Sequence, residues 1–395
     1  MVDFAFTPEQ RNLYFEVRRF VEEHIVPFEQ DPRWTRHGPS EELRSELQAL
    51  ARKAGLLAIH LPPAYGGRGL THLEQALAFE AAGYSPLGPT ALNIMAPDEG
   101  NMHLLLAAGD EEQKRSWLLP LARGEIRSCF LMTEPGGAGS DPGLLATVAE
   151  PVGSGRYRVH GRKWFITGAE GAALGILMAK VPDHGPTLFL MPMDQPGVRL
   201  VRQQETIDGS FTGGHWEVAL DGVEVRESWI LGALGEGMRY AQLRLAPARL
   251  THCMRWLGGA VRAQEQALAY ARKREVFGAP LGSHEGVGFA LADNELDLRA
   301  SRHWIWWVAW LLDRGERARH ESSLAKVAVA EALFRVLDRC VQVMGGLGVA
   351  LETVTARLFL ELRAFRIYDG PSEVHRWAIA RRLLGRQQPI SPFAA

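Results

Sequence analysis

The amino-acid sequence predicts an α+β protein of several domains, in which a helical segment, a β segment and a second helical segment follow one another. Two observations support this fold class. Apolar residues recur at helical spacing towards both ends of the chain, whereas the middle consists of short apolar runs separated by Gly, Pro and Asp. Strands and helices do not alternate, which argues against a doubly wound parallel sheet.

The first predicted domain, residues 1–125, is helical. Thr7 is expected to cap a helix that has Pro8 at its first position. A second helix is expected around Leu43–Ala51, where leucines recur at helical spacing, and it should stop at Gly55.

The second predicted domain, residues 126–236, is a β-barrel or β-sandwich. Its apolar runs are too short for helices and are separated by turn residues. The expected strands are Cys129–Met132, Arg156–Ile166, Gly175–Ala179, Thr187–Met191 and His215–Val225.

The third predicted domain, residues 237–395, is a four-helix bundle. Its clearest helix is Lys326–Met344, where apolar residues recur in steps of three and four and Gly345 is expected to end the helix. The apolar run Trp304–Leu312 is shorter than the roughly 20 residues of a membrane span. It is expected to be a buried helix or a subunit contact.

Composition argues against several classes of function. The net charge of the 395 residues is -2, so no basic face for nucleic acid is expected. The cysteines, Cys129, Cys253 and Cys340, lie far apart, which argues against a disulfide scaffold or a cysteine-based metal site. The first residues lack the basic and apolar regions of a signal peptide. We therefore expect a cytoplasmic protein with no metal, no membrane span and no nucleic-acid partner.

Four segments could carry chemistry, and each also has a purely structural explanation. Thr133–Asp141 (TEPGGAGSD) is rich in glycines that let a backbone approach a ligand, or it is a turn-rich loop. Gly345–Gly348 follows a helix and is therefore not a Rossmann fingerprint, but a helix cap explains it. Arg274 could bind a phosphate or suit a helix dipole. Asp369–Pro371 is first of all a turn.

The order and spacing of these segments resemble the acyl-CoA dehydrogenase family, whose flavin enzymes consist of a helical domain, a β domain and a helical bundle. The resemblance covers nearly the whole chain. In the first half it rests on FTPEQ (6–10), PPAYGGRGL (62–70), GDEEQK (109–114), TEPGGAGSD (133–141) and GRKWFITG (161–168). In the second half it rests on RKREVFG (272–278), VQVMGGLG (341–348) and RIYDGPSEVHR (366–376).

The resemblance implies FAD as the cofactor. It places the Thr167 hydroxyl near flavin N5, and it places Arg274 and the segment 342–346 on the FAD of a neighbouring subunit. The residues implied to line the ring are Phe130, Met132, Thr133, Gly139, Ser140, Phe165, Ile166 and Thr167. The other implied FAD contacts are Arg274, Val276, Phe277, His284, Glu285, Gln342, Val343, Gly345, Gly346, Gly370, Pro371, Ser372 and Glu373.

The resemblance also implies an acyl-CoA substrate, bound near Ser140, Arg249 and Tyr368. A carboxylate must remove the α-proton while hydride leaves the β-carbon for the flavin. The family usually has a glutamate in this segment, or on the helix just before the arginine. Here Asp369 is the only carboxylate at either position, since 246–249 contains none. Electrons are implied to pass to an electron-transfer flavoprotein, and the chain to form a dimer or a dimer of dimers.

An aspartate is shorter than a glutamate by about 1.5 Å, and a misplacement of that size can cost about a hundredfold in rate. However, Asp-Gly-Pro together with RLTHCMR (249–255) resembles the subgroup of family members ten and eleven, which uses an aspartate here and acts on hydroxylated acyl-CoAs. We expect shielding from water to raise the pKa of Asp369. His252 and Cys253 have no nucleophile motif and are expected to be packing residues.

Two other functions remain open, the first of them because the usual glutamate is absent. One is a flavin- or CoA-binding member of the family without dehydrogenase activity. The other is an oxidase that delivers the electrons to oxygen.

Overall fold

The structure is a computed structural model of the chain, and it describes residues 5–137 and 139–385. Helices, a curled sheet and further helices follow one another, which confirms the predicted fold class. The domain boundaries after residues 125 and 236 stay predictions from the sequence. The outer ends of the first and third predicted domains, residues 1–4 and 386–395, lie outside the described residues.

Helix caps in the N-terminal part form as the sequence predicts. The Thr7 side chain accepts a hydrogen bond from the N–H of Gln10, whose own side chain accepts from the N–H of Thr7. The helices are α1 (Pro8–Phe20), α2 (Glu41–Lys53), α3 (His72–Ala82), α4 (Gly88–Ala91), α5 (Asp98–Ala108), α6 (Glu111–Gln113) and α7 (Leu119–Ala122). A short hairpin interrupts them, with strands β1 (Trp34–Thr35) and β2 (Gly38–Pro39).

The middle part contains one seven-stranded sheet. Its strands are β3 (Ser128–Leu131), β4 (Val148–Gly153), β5 (Arg156–Thr167), β6 (Leu174–Val181), β7 (Gly185–Pro192), β8 (Val198–Gln204) and β9 (His215–Arg226). Their order is β3-β6-β4-β5-β9-β8, with β7 paired to β6, and β3 is parallel to β6. Strands β4 and β8 were not among the expected strands, because β4 contains a proline and β8 is mostly exposed.

The C-terminal part is dominated by three long helices. They are α8 (Gly237–Lys273), α9 (Glu285–Asp313) and α10 (Arg319–Met344). The hairpin β10 (Glu275–Val276) and β11 (Ala279–Pro280) follows α8, and α11 (Val354–Phe365) and α12 (Ser372–Leu384) follow α10. The run Trp304–Leu312 lies in α9, where Ile305 and Val308 are buried but Trp307 and Trp310 are 40% and 46% exposed.

Helix α8 contains a proline in its interior, Pro247. Proline lacks the N–H that an interior helical residue donates, so a kink or a break in the hydrogen-bond ladder is expected there. Ser322 of α10 donates to the carbonyl of Ala246 at 2.9 Å, which ties the two helices together beside this point. Arg244 and Arg249 flank the proline on the same helix.

A buried ion pair ties the loop after β3 to the sheet. Lys163 Nζ lies 2.7 Å from Glu134 Oε1, and both side chains are almost completely buried. Glu134 also accepts the N–H groups of Ala146 and Thr147, and Lys163 also donates to the carbonyl of Met178. Burial lowers the pKa of Lys163 to about 8. Burial alone would raise the pKa of Glu134, but the charge and hydrogen bond of Lys163 outweigh it and lower that pKa.

Replacing Glu134 with Gln is expected to destabilise the protein by about 3–5 kcal/mol, because the variant leaves the Lys163 ammonium buried without a counter-charge. Chemical denaturation measures the change. The matched control is Asp221→Asn, which breaks the Arg199–Asp221 pair, whose side chains are 61% and 60% exposed, and should change stability little. Equal effects of the two variants would contradict the account.

Candidate active site

Asp369 lies in a tight turn that joins α11 to α12. Its backbone has a φ of 53°, and Gly370 next to it has a φ of 97°. A Cβ atom at Gly370 would lie 2.6 Å from His375 Nε2, so only glycine fits there. The Asp-Gly pair is therefore a turn, as the sequence indicates, and this turn presents Asp369 to α8.

Three side chains hold Asp369 in place. Arg249 Nε donates to the Asp369 carbonyl at 3.1 Å, and His375 Nε2 lies 3.2 Å from the same oxygen. His252 Nε2 lies 3.2 Å from the carboxylate oxygen Oδ2. Arg249 and His252 are three residues apart on α8 and therefore share one face of that helix.

The expectation that His252 is a packing residue is wrong. The side chain is buried, as a packing residue would be, but it contacts the predicted catalytic carboxylate. Its sequence position gave no indication, because residues 252 and 369 meet only when the turn packs on α8. Cys253 next to it is fully buried, and burial raises the pKa of its thiol to about 12, which is consistent with packing alone.

The charges around Asp369 reverse the pKa shift that we expected. Burial pushes the pKa of Asp369 up, but the hydrogen bond and charge of His252 and the charges of Arg244 and Arg249 pull it well below its usual value. Asp369 is therefore ionised at neutral pH. This is the protonation state from which a base acts, although a low pKa makes the base intrinsically weak.

A second group of predicted residues lies at the end of β5. The Trp164 N–H donates to the Thr133 carbonyl at 3.0 Å, and Thr133 Oγ1 donates to the Trp164 carbonyl at 2.6 Å. These bonds bring the loop after β3 alongside β5. Phe165 is 48% exposed and has a φ of 49°, Ile166 is buried and Thr167 is half-buried. We call the surface formed by Thr133, Phe165 and Thr167 the β5 ledge.

Two aromatic contacts connect the sheet with the helices around Asp369. The Arg244 guanidinium lies 4.3 Å from the ring centroid of Phe130, at β3. The ring of Phe211, in the loop between β8 and β9, meets Tyr368 edge-on at 6.0 Å. Tyr368 in turn accepts a hydrogen bond from Trp256 Nε1. The predicted base and the β5 ledge therefore belong to one connected region.

A buried polar chain behind the ledge was not predicted from the sequence. Thr167 Oγ1 lies 3.0 Å from His215 Nδ1, and His215 Nε2 lies 3.1 Å from Asp208 Oδ2. Next to Asp208, the N–H of Gly209 donates to Glu361 Oε1 at 2.6 Å. His215 opens a strand and Glu361 lies within a helix, so neither belongs to a recognisable motif.

Several of the remaining predicted FAD residues lie on other parts of the surface of the single chain. Arg274 caps the end of α8, Phe277 is 99% exposed, and Gly345 and Gly346 have open space around them. Among the described residues, no hydrogen bond joins this group to the β5 ledge. The other exposed members are Gly139, Ser140, Glu285, Gln342 and Glu373. The half-buried members are Met132, Val276, His284, Val343, Gly370 and Pro371, whereas Ser372 is buried and donates to Glu331.

Neither a metal cluster nor a membrane-crossing helix is found in the described part of the chain. No three His, Cys, Asp or Glu side chains there are grouped so that they could hold a metal ion. None of the helices described combines the length and apolar character that a bilayer requires.

Comparison with known families identifies the fold. Residues 7–125, 129–223 and 235–384 match the models of the acyl-CoA dehydrogenase N-terminal, middle and C-terminal domains. The chain belongs to the acyl-CoA dehydrogenase family. This confirms the family resemblance seen in the sequence.

Curated relatives include the subgroup that the Asp-Gly-Pro segment indicated. Acyl-CoA dehydrogenase family member 11 of Gallus gallus is 35% identical over 94% of this chain, which spans about half (50%) of that protein. Family member 10 of Mus musculus is 33% identical over 96% of this chain and 37% of its own length. The probable acyl-CoA dehydrogenase FadE2 of Mycobacterium tuberculosis is 36% identical, over 100% of this chain and 99% of that one.

Solved structures of family members superpose along nearly the full length. Butyryl-CoA dehydrogenase from Megasphaera elsdenii is 27% identical with a TM-score of 0.87, covering 97% of this chain and 100% of its own. A glutaryl-CoA dehydrogenase from Mycobacterium smegmatis, solved in complex with FADH2, is 27% identical with a TM-score of 0.86. The match covers 97% of this chain and 96% of that one.

Glu361 provides a test of the buried site through pH. Burial, together with the nearby charge of Asp208, raises the pKa of Glu361 from 4.5 to about 8. The protonated form therefore contributes stability that is complete below pH 4.5 and is lost as the pH rises through about 8. In Glu361→Gln, this loss should be absent. Between pH 4.5 and about 8, the free energy of unfolding of the variant should therefore increase relative to that of the wild type by about 1.4 kcal/mol per pH unit.

Denaturation curves at several pH values measure this difference, and the exposed Glu150→Gln serves as the control, which should run parallel to the wild type. Parallel curves for Glu361→Gln and the wild type would show that Glu361 does not hold a proton at neutral pH.

Proposed function

We propose that this family member binds FAD and oxidises an acyl-CoA thioester to the trans-2-enoyl-CoA, with Asp369 as the base. The proposal rests on the setting of Asp369, a carboxylate whose side chain is only 20% exposed, which is held by His252 and kept ionised by two arginines. Such a group can accept a proton from a substrate that lies in front of it. Acyl-CoA is proposed to lie near Ser140, Arg249 and Tyr368.

The residues of the β5 ledge fit a flavin ring. Phe165 offers an exposed aromatic face, and its left-handed φ is a strained conformation of the kind that clusters at ligand sites. Thr133 and Thr167 each add a hydroxyl group to the same surface. When bound, FAD supplies the acceptor for the hydride from the β-carbon. We assign to FAD the residues that the sequence implied, with Thr167 next to N5.

The positioning of Asp369 depends on side chains of α8 and α12. Arg249 and His375 hold the backbone carbonyl, and His252 holds Oδ2, so Oδ1 is the oxygen that accepts the α-proton. These contacts hold Asp369, whose side chain is shorter than that of glutamate, at its backbone carbonyl and at its carboxylate. After the transfer, the neighbouring positive charges favour release of the proton, since they stabilise the ionised carboxylate.

The two alternative functions, a member without dehydrogenase activity and an oxidase, have fewer observations in their favour. The non-dehydrogenase alternative depends on the missing glutamate, but Asp369 supplies a carboxylate in that same turn. We propose an electron-transfer flavoprotein as the electron acceptor, and hydrogen peroxide formed during turnover would instead identify an oxidase. The acyl chain is the remaining variable, and short, long, branched, aromatic and hydroxylated acyl-CoAs should be compared. The cytoplasmic location stays a prediction from the sequence.

Replacing Asp369 with Asn should abolish flavin reduction by acyl-CoA without loss of the flavin. General-base catalysis contributes about 10²–10⁴ in rate, so at least a hundredfold slowing is expected. Anaerobic titration, followed by bleaching of the flavin absorbance, measures the effect. Asp221→Asn on the exposed surface should bleach like the wild type. If Asp369→Asn bleaches at the wild-type rate, Asp369 is not the base.

The exposed FAD residues predict that subunits must pair. Arg274 offers a guanidinium suited to a pyrophosphate, and we assign it to the FAD of a neighbouring subunit. Arg274→Ala should therefore lower FAD retention about tenfold or more, the scale of a lost charge-assisted hydrogen bond. The neighbouring exposed Arg272→Ala is the control and should retain FAD. Sedimentation should give a dimer or a dimer of dimers, and a monomer that holds FAD tightly would contradict the assignment.

A further inference from the structure

The buried chain behind Thr167 has a defined direction. Asp208 is ionised, because the hydrogen bond from His215 opposes the effect of burial and its pKa is lowered. A carboxylate can only accept hydrogen bonds, so the hydrogen of the His215–Asp208 contact sits on His215 Nε2. In the neutral imidazole, Nδ1 is then the acceptor. Thr167 must therefore donate its hydroxyl hydrogen to Nδ1.

The surroundings hold this arrangement in place. The side chains of His215 and Asp208 are 11% and 6% exposed, so water does not compete freely for their hydrogen bonds. The Phe211 ring packs on the imidazole with its centroid at 5.5 Å. Glu361 is the second carboxyl group that interacts with Asp208. Because its pKa is raised to about 8, Glu361 is neutral at pH 7 and leaves Asp208 as the charged member.

Two other polar side chains near the chain, Arg127 and Tyr368, do not set the position of its hydrogens. Arg127 donates to the carbonyls of Gly168 and Thr212, on the two backbone segments that flank Thr167 and His215. Tyr368 faces this region through Phe211, and burial raises its pKa well above the usual value, so it stays neutral. Asp208 is therefore the group that selects the hydrogen position on His215.

We propose that His215 and Asp208 are positioning residues that make the Thr167 hydroxyl a hydrogen-bond acceptor towards flavin N5 and thereby favour the reduced cofactor. The inference rests on the proposed function, since it requires the ring to lie against Thr167. The reduced form is the one favoured because of the chemistry of N5. In oxidised flavin N5 has only a lone pair, whereas in reduced flavin, after it has received hydride, it carries a hydrogen. A Thr167 oxygen that presents lone pairs is complementary to the reduced form alone.

Asp208→Asn tests the proposal with almost no change in shape. Its amide can donate to His215 Nε2, which moves the imidazole hydrogen to Nδ1 and turns the Thr167 hydroxyl towards N5 as a donor. The oxidised flavin is then favoured. We expect the equilibrium between reduced and oxidised FAD to shift about tenfold towards the oxidised form. This corresponds to a midpoint potential lower by about 30 mV for a two-electron couple.

A double-mutant cycle separates positioning from a structural effect. Thr167→Val removes the hydroxyl, so Asp208→Asn should cause no further shift of the potential in that background. Additive shifts would overturn the proposal. His215→Phe keeps a ring without nitrogen atoms and should also lower the potential, and it replaces Asp208→Asn if that variant does not fold. Asp313→Asn, which alters the distant His72–Asp313 pair, is the matched control and should leave the potential unchanged.

The imidazole itself gives a readout that needs no flavin. In protein labelled with ¹⁵N-histidine, the His215 resonances should report hydrogen on Nε2 in the wild type and on Nδ1 in Asp208→Asn. An unchanged His215 tautomer, or an unchanged potential in a variant whose flavin still bleaches with acyl-CoA, overturns this inference alone. A wild-type protein that binds no FAD, or whose FAD never bleaches, overturns the proposed function instead.

Discussion

The arrangement depends on keeping one carboxylate ionised where water has little access. An isolated buried charge is costly, so the chain must supply compensating groups from within. For Asp369 these groups come chiefly from α8, which contributes Arg244, Arg249 and His252 around its internal proline. The turn at Asp369 can pack against His375 of α12 only because Gly370 has no Cβ that would collide with that side chain.

The same helix connects the base to the rest of the site. The Arg244 guanidinium lies over the Phe130 ring at β3, so one of the groups that lower the pKa of Asp369, after His252, also joins the helices to the sheet. The β8–β9 loop closes the other side through Phe211 and Tyr368. A base and a proposed flavin surface that belong to different domains are thereby held in register by buried polar and aromatic contacts.

Local patterns in the sequence predicted most of the fold but only part of the site. Helix caps such as Thr7 and the apolar spacing in α10 depend on nearby residues, so the sequence is sufficient for them. The roles of His252, His215 and Glu361 depend on partners 117, 7 and 152 residues away in the chain, at Asp369, Asp208 and Gly209. The pKa of Asp369 was wrongly expected to rise because burial alone was considered, without the arginines that folding brings near.

The most direct test of the central claim follows the proton itself. An acyl-CoA is incubated with the FAD-loaded protein in D2O under anaerobic conditions, and NMR measures deuterium incorporation at the α-carbon. The account predicts exchange with the wild type and at least a hundredfold slower exchange with Asp369→Asn, which still binds the acyl-CoA. Exchange at the wild-type rate in Asp369→Asn would show that another group removes the proton and would contradict the account.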